Sequence, residues 1–147
     1  MRKISLICLS LVCVSVLFLA GEAVGGEKQV FTKKELKTWD REKVAGGEGI
    51  LAGKFSFTRN DPGPAENVIN EIGWMTLQPG HSIGMHQHRD NEDAYLIIFG
   101  EGVFTDSEGK ETVVTGGDVT IARAGQSHAL KNTGNLPLIF LDIVAKK

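Results

Sequence analysis

The sequence predicts a single all-β domain, a sandwich or barrel of short strands. Three observations carry that expectation. Short segments of strand composition recur at regular spacing from residue 49 to residue 144, turn chemistry separates them, and no internal repeat is long enough to build a second unit. The whole chain, at 147 residues with 41% hydrophobic and 23% charged, has the size of one ordinary domain.

Not all of it is expected to belong to the fold. Met1-Arg2-Lys3 is a short basic start, and the apolar run over residues 4–20 is too short and too close to the terminus for a comfortable membrane anchor. It reads as a secretory signal peptide spanning residues 1–23. Gly21 and Ala23 supply the small residues for a cut after Ala23, whereas a cut after Ala20 is disfavoured by the bulk of Phe18. The product is exported, to a periplasm or the extracellular space, with no stable membrane association after cleavage. Both cysteines, Cys8 and Cys13, leave with the signal, so the mature chain has neither a disulfide nor a thiolate ligand.

Residues 24–45 read as an amino-terminal arm, polar apart from Phe31, Leu36 and Trp39. The arm either docks on the barrel or forms a short helix from Thr32, where Glu35 completes a capping box. Residues 46–147 form the barrel. Its strands are expected at 49–58, 67–77, 82–88, 94–99, 102–106, 111–115, 118–122, 127–132 and 138–144. Asn60-Asp61-Pro62-Gly63-Pro64, Gln78-Pro79-Gly80, Ser107-Glu108-Gly109, Gly116-Gly117 and Asn132-Thr133-Gly134-Asn135 turn the chain between them. Alternation admits only half of Phe55, Phe57, Trp74 and Met75 to the core; the others are available to a homodimer face.

Composition excludes several functions. The mature chain is mildly acidic, without a basic stripe or a paired aromatic platform, so no nucleic-acid partner is expected. Neither a phosphate-cradling glycine loop ahead of a helix nor a serine nucleophile motif is present.

Two spaced patterns carry the chemistry. The first runs Gly80-x5-His86-x-His88-x4-Asp93-x6-Gly100 and the second Gly117-x5-Arg123-x-Gly125-x2-His128-x3-Asn132. His86 and His88, two apart, project to one face of a strand, and Asp93 and His128 arrive from later strands. Three neutral imidazoles and a carboxylate make a mixed nitrogen and oxygen set suited to iron, manganese, nickel, zinc or copper. His81 falls on the opposite face of a regular strand and receives no ligand role.

The pair of patterns resembles the two signature motifs of the cupin superfamily, over about residues 80–132. That resemblance implies a small jelly-roll barrel holding one divalent transition metal, iron, manganese or nickel ahead of zinc or copper. It departs from the family in two places. The family's glutamate falls, by count from Gly100, at Asp93, with Glu92 one step away as the alternative; a bulge at Asn91 would exchange them. The usual proline of the second motif is Arg123, which leaves Gly125 to take the unusual backbone angles.

Around the ligands, Tyr95 shares parity with Asp93 and either offers its phenol to the cavity or packs in the barrel. Arg123 either holds an anionic substrate at the cavity mouth or is a solvated turn residue. Asp142 is either a buried acid or an outward residue of the last strand, and Asn132 is expected to fix a turn. Four protein ligands on an octahedral ion leave two positions for water, substrate or dioxygen. The resemblance implies the cupin repertoire of dioxygenases, decarboxylases, isomerases and lyases, and is nearest to small oxalate-decarboxylase-like members. The expected function is a metal-dependent enzyme acting on a small organic acid or sugar derivative; the alternative is a metal-bearing protein that binds such a ligand without turnover.

Overall fold

The computed structural model describes residues 28–147. The expected signal peptide lies outside the described residues. The strands are β1 (Lys37–Thr38), β2 (Arg41–Glu42), β3 (Ile50–Phe57), β4 (Ile69–Leu77), β5 (Ser82–Gln87), β6 (Asn91–Phe99), β7 (Glu101–Thr105), β8 (Glu111–Thr115), β9 (Val119–Ala122), β10 (Ser127–Asn132) and β11 (Leu138–Lys146). They form a 7-stranded sheet in the order β1-β3-β4-β11-β6-β9, with β2 also on β3, and a 4-stranded sheet in the order β5-β10-β7-β8. Each of the strands expected between residues 49 and 144 is present, and all pairings are antiparallel.

The two sheets face each other as a jelly roll because alternation gives each an apolar inner surface. One core takes Phe55 from β3, Met75 and Leu77 from β4, Ile97 from β6, Leu130 from β10 and Phe140 from β11. Phe55 and Met75 are fully buried, while Trp74 is 44% exposed on the outer face of the large sheet with Ile98 and Val119. Phe57 is half-buried, its ring 5.5 Å from that of Phe31.

The arm docks instead of forming an α-helix. A single 3-10 turn covers Lys33–Glu35, its amino end closed by the Thr32 N–H donating to Glu35 Oε2 at 2.8 Å. Beyond it the backbone is extended at Leu36, and β1 and β2 pair with β3. A turn of three residues, closed by Glu35 N–H donating to Thr32 O at 2.9 Å, cannot sustain a helix nucleus, whereas the free edge of β3 offers ladder bonds at once. The arm then packs so closely on β5 that a Cβ at Gly84 would meet Ala45 O at 2.1 Å.

Asn132 ends β10 and ties three segments together. Its amide Nδ2 donates to Leu77 O at 2.8 Å and Leu136 O at 2.9 Å, and its Oδ1 accepts from Gly134 N at 3.0 Å. The side chain is completely buried. Replacing Asn132 by Ala strands two carbonyls and one N–H, and we expect a loss of about 3 kcal/mol of unfolding free energy, measured by urea denaturation of the purified protein.

Candidate metal centre

A bulge in β5 makes the centre possible. His128 of β10 lies opposite His86, but Leu130 lies opposite Ile83, so β5 carries one more residue than its partner between these pairs. Without that extra residue Ile83 and His86, of opposite parity, could not both face inward. With it, Ile83 fills the core and His86 turns to the cavity. His88 follows just past the end of β5, its N–H donating to Gln126 O at 2.9 Å. Asp93 comes from the opposing sheet. The pairing of β6 with β11 runs regularly through Asp93↔Val144, so no bulge intervenes at Asn91. Asp93 therefore points inward at 4% exposure, and Glu92 turns outward to an ion pair with Arg123.

His86, His88, Asp93 and His128 each bring one donor atom to a common point, all within 4.8 Å of one another. His128 Nε2 lies 3.0 Å from His88 Nε2 and 3.1 Å from His86 Nε2. Asp93 Oδ2 is 3.3 Å from His88 Nε2 and 3.5 Å from His128 Nε2. The ring nitrogens on the far side are fixed: His86 Nδ1 donates to Gly84 O at 2.9 Å and His88 Nδ1 to Asn91 Oδ1 at 3.1 Å. An acceptor on Nδ1 assigns the proton there, so these Nε2 lone pairs face inward. Both lone pairs meet His128 Nε2 across about 3 Å, an arrangement that a cation at the common point satisfies for all three rings at once. Asp93 Oδ1, buried and without a hydrogen-bond partner, adds an unpaired anionic oxygen beside the same point. Adjacent ligands of an octahedral ion with bonds of about 2.1 Å stand about 3.0 Å apart, and the imidazole separations match. The donor set fits a divalent transition metal.

The centre opens on a cavity of about 380 Å³ lined by Arg41, Arg59, Arg89, Tyr95 and Asp142 besides three of the cluster residues. Comparison with known proteins places this arrangement. The Cupin domain family model matches residues 73–144. An oxalate-binding protein of Thermotoga maritima is 44% identical over 119 residues, 81% of this chain and 95% of that protein. The chain belongs to the cupin family.

A crystal structure from Thermotoga maritima, described as a predicted oxalate decarboxylase, superposes on this cupin with TM-score 0.71 at 31% identity, over 80% of this chain and 99% of that one. A gentisate 1,2-dioxygenase of a Ralstonia species is 30% identical over 73 residues, half of this chain but 20% of that protein.

The other expected residues separate cleanly. Tyr95 is buried, its ring stacked on His128 with centroids 4.9 Å apart and its hydroxyl 3.4 Å from His128 Nε2. Burial, with the charge of Asp93, pushes the Tyr95 phenol well above its usual range and keeps it neutral. Arg123 does not line the cavity: it is the solvated turn residue, because the Glu92 carboxylate beside it holds it at the surface. His81 lies elsewhere, its Nδ1 within 3.1 Å of Ile50 N. Gly125 takes φ +92 in the turn where the family has its proline nearby.

Behind the centre the large sheet presents three inward acids within one pleat. Val144 of β11 pairs with both Glu71 and Asp93, and Asp142 is the next inward residue. Each acid is handled differently. Glu71, fully buried, takes Arg59 at 3.2 and 3.4 Å. Asp142 is pushed well up by burial and by the adjacent Asp93 charge, so it holds a proton. For Asp93 burial works upward, but the neighbouring rings of His128 and His88 and the neutral Asp142 outweigh it and hold the carboxyl far below its usual range. His86 is lowered by burial, while Asp93 and Asn91 raise His88 against the opposing effect of burial. Asn91, Glu71 and Arg59 had no readable signal in the sequence, since their partners lie on other elements or across a turn.

Three outcomes follow. His128→Ala loses bound metal, and Asp93→Ala loses far more than Glu92→Ala, as measured by elemental analysis. Asn91→Ala, which frees the His88 ring, lowers metal affinity by about 10- to 100-fold in competition with a chromophoric chelator. Asp142 has a raised folded pKa, so its contribution to stability is full below the unfolded carboxylate range and is lost as pH rises through the folded value. Asp142→Asn mimics the protonated acid without titrating, and in metal-free protein its thermal midpoint should gain on that of wild type as pH is raised.

Proposed function

We propose that this cupin is an exported protein that holds one divalent transition metal on His86, His88, Asp93 and His128 and binds a small organic acid at the metal. Oxalate is the first ligand to test, since the Thermotoga relatives are described by that acid. One observation carries the reading: the four donors converge within 4.8 Å of one another, and three of their residues line a cavity that has arginines in its wall. A bound metal ion supplies Lewis-acid attraction for carboxylate oxygens and polarises the bond between them and carbon. The protein's own residues orient the acid and limit water. Asp93 offsets part of the ion's charge, and the core formed by Phe140 and Tyr95 closes the inner wall.

Tyr95 favours a second reading, in which the bound acid is also converted. Loss of carbon dioxide from oxalate requires one proton on the carbon left behind, and a neutral phenol beside His128 is an acid already in place. Glu92 and Arg123, engaged with each other on the surface, take no part.

Protein reconstituted with manganese(II) should bind oxalate in calorimetry, and metal-free protein should not. Retained oxalate affinity after chelation would sink the metal-centred reading. Formate production that is lost in Tyr95→Phe, with metal content unchanged, would establish conversion; binding without formate leaves capture as the function.

A further inference from the structure

Arg41 lies in β2, on the arm, and lines the cavity together with residues of the sequence motifs. Three arginines line that cavity, and they are not equivalent. Arg59 is committed to Glu71, and Arg89 is exposed. Arg41 is partly buried, and its Nε is buried without a hydrogen-bond partner. Its guanidinium carbon sits 4.8 Å from the centre of the Trp39 ring and 5.5 Å from that of Phe55. Stacking of this kind engages the face of the guanidinium and leaves its planar edge of N–H donors for a partner.

The Nε is enclosed by the protein, but Arg41 also lines the cavity, and the outer N–H groups of a charged side chain are costly to leave unmade there, so its placement points to an acceptor that arrives with the ligand. Among the described residues no carboxylate forms an ion pair with Arg41. We infer that Arg41 anchors the second carboxylate of a small dicarboxylate whose first carboxylate is held at the metal centre. The inference rests on the proposed reading of that centre and narrows its ligand. A neutral sugar derivative, or a monocarboxylate already held at the metal centre, has no further group for the guanidinium fork, whereas a dianion has a second carboxylate to offer it in charge-assisted, two-point hydrogen bonds within the same cavity.

The discriminating experiment compares oxalate with acetate by calorimetry on manganese(II)-loaded protein, with manganese content and thermal midpoint measured alongside. Wild type should prefer oxalate. Arg41→Met should weaken oxalate by about 30-fold or more while acetate affinity and manganese content hold, so that the preference collapses. Arg41→Lys keeps the charge without the planar fork; it should fall between the two, and it decides the matter if the Met variant does not fold. Arg123→Met, a change on the surface, should leave oxalate binding intact. Oxalate binding by Arg41→Met and Arg41→Lys at wild-type strength would overturn the anchor and leave the metal reading standing. Wild type that holds manganese but binds neither oxalate nor a longer dicarboxylate would overturn both.

Discussion

Crowding of the His86 and His88 Nε2 atoms to within 3.1 Å of His128 Nε2 organises the interior of this molecule. Side chains free to rotate would relieve it at once, so the surrounding structure must forbid the escape. Gly84 O and Asn91 Oδ1 fix two of the rings from behind, and Tyr95 stacks on the third. Those restraints come from both sheets, which hold because a single apolar core joins them. A centre built this way is preorganised: the ordering is done during folding, and a cation entering it gains its ligands without rearranging them.

The carboxylates behind the rings show the same logic in another form. Three ionised acids on one inner pleat would oppose one another at low dielectric, and each is relieved by a different device: an arginine for Glu71, a proton for Asp142, the imidazoles for Asp93. The arrangement leaves one full negative charge at the centre, which lowers the net charge of a divalent ion without cancelling it. Residual positive charge is what an anionic ligand needs.

Most of the fold was readable because alternation and turn residues are local signals. The strands from residue 49 onward, and the approach of His86, His88, Asp93 and His128, follow from period-two spacing and from counting to Gly100. The parity argument set Asp93 inward over Glu92, and the regular β6 pairing with β11 is the physical reason. Parity also had a blind spot. The irregularity lies in β5, between Ile83 and His86, where the glycine at position 84 accommodates the arm; nothing in a list of residues announces it. Arg123 kept two readings open for a related reason, since the outward Glu92 that captures it becomes its neighbour only through the pairing of β6 with β9. The capping box at Thr32 formed, yet only one turn followed, because an available sheet edge outcompetes a short helix.

The arm gives the molecule a divided architecture of recognition. The family match begins at residue 73 and contains every donor of the cluster, while Arg41 stands well upstream on a strand added to the edge of the sheet. On the proposed reading, the metal donors and the anchor for the ligand would be separate modules of one chain. A change in the arm would then retune what is admitted without disturbing the donors, and two cupins with identical metal donors would differ in diet.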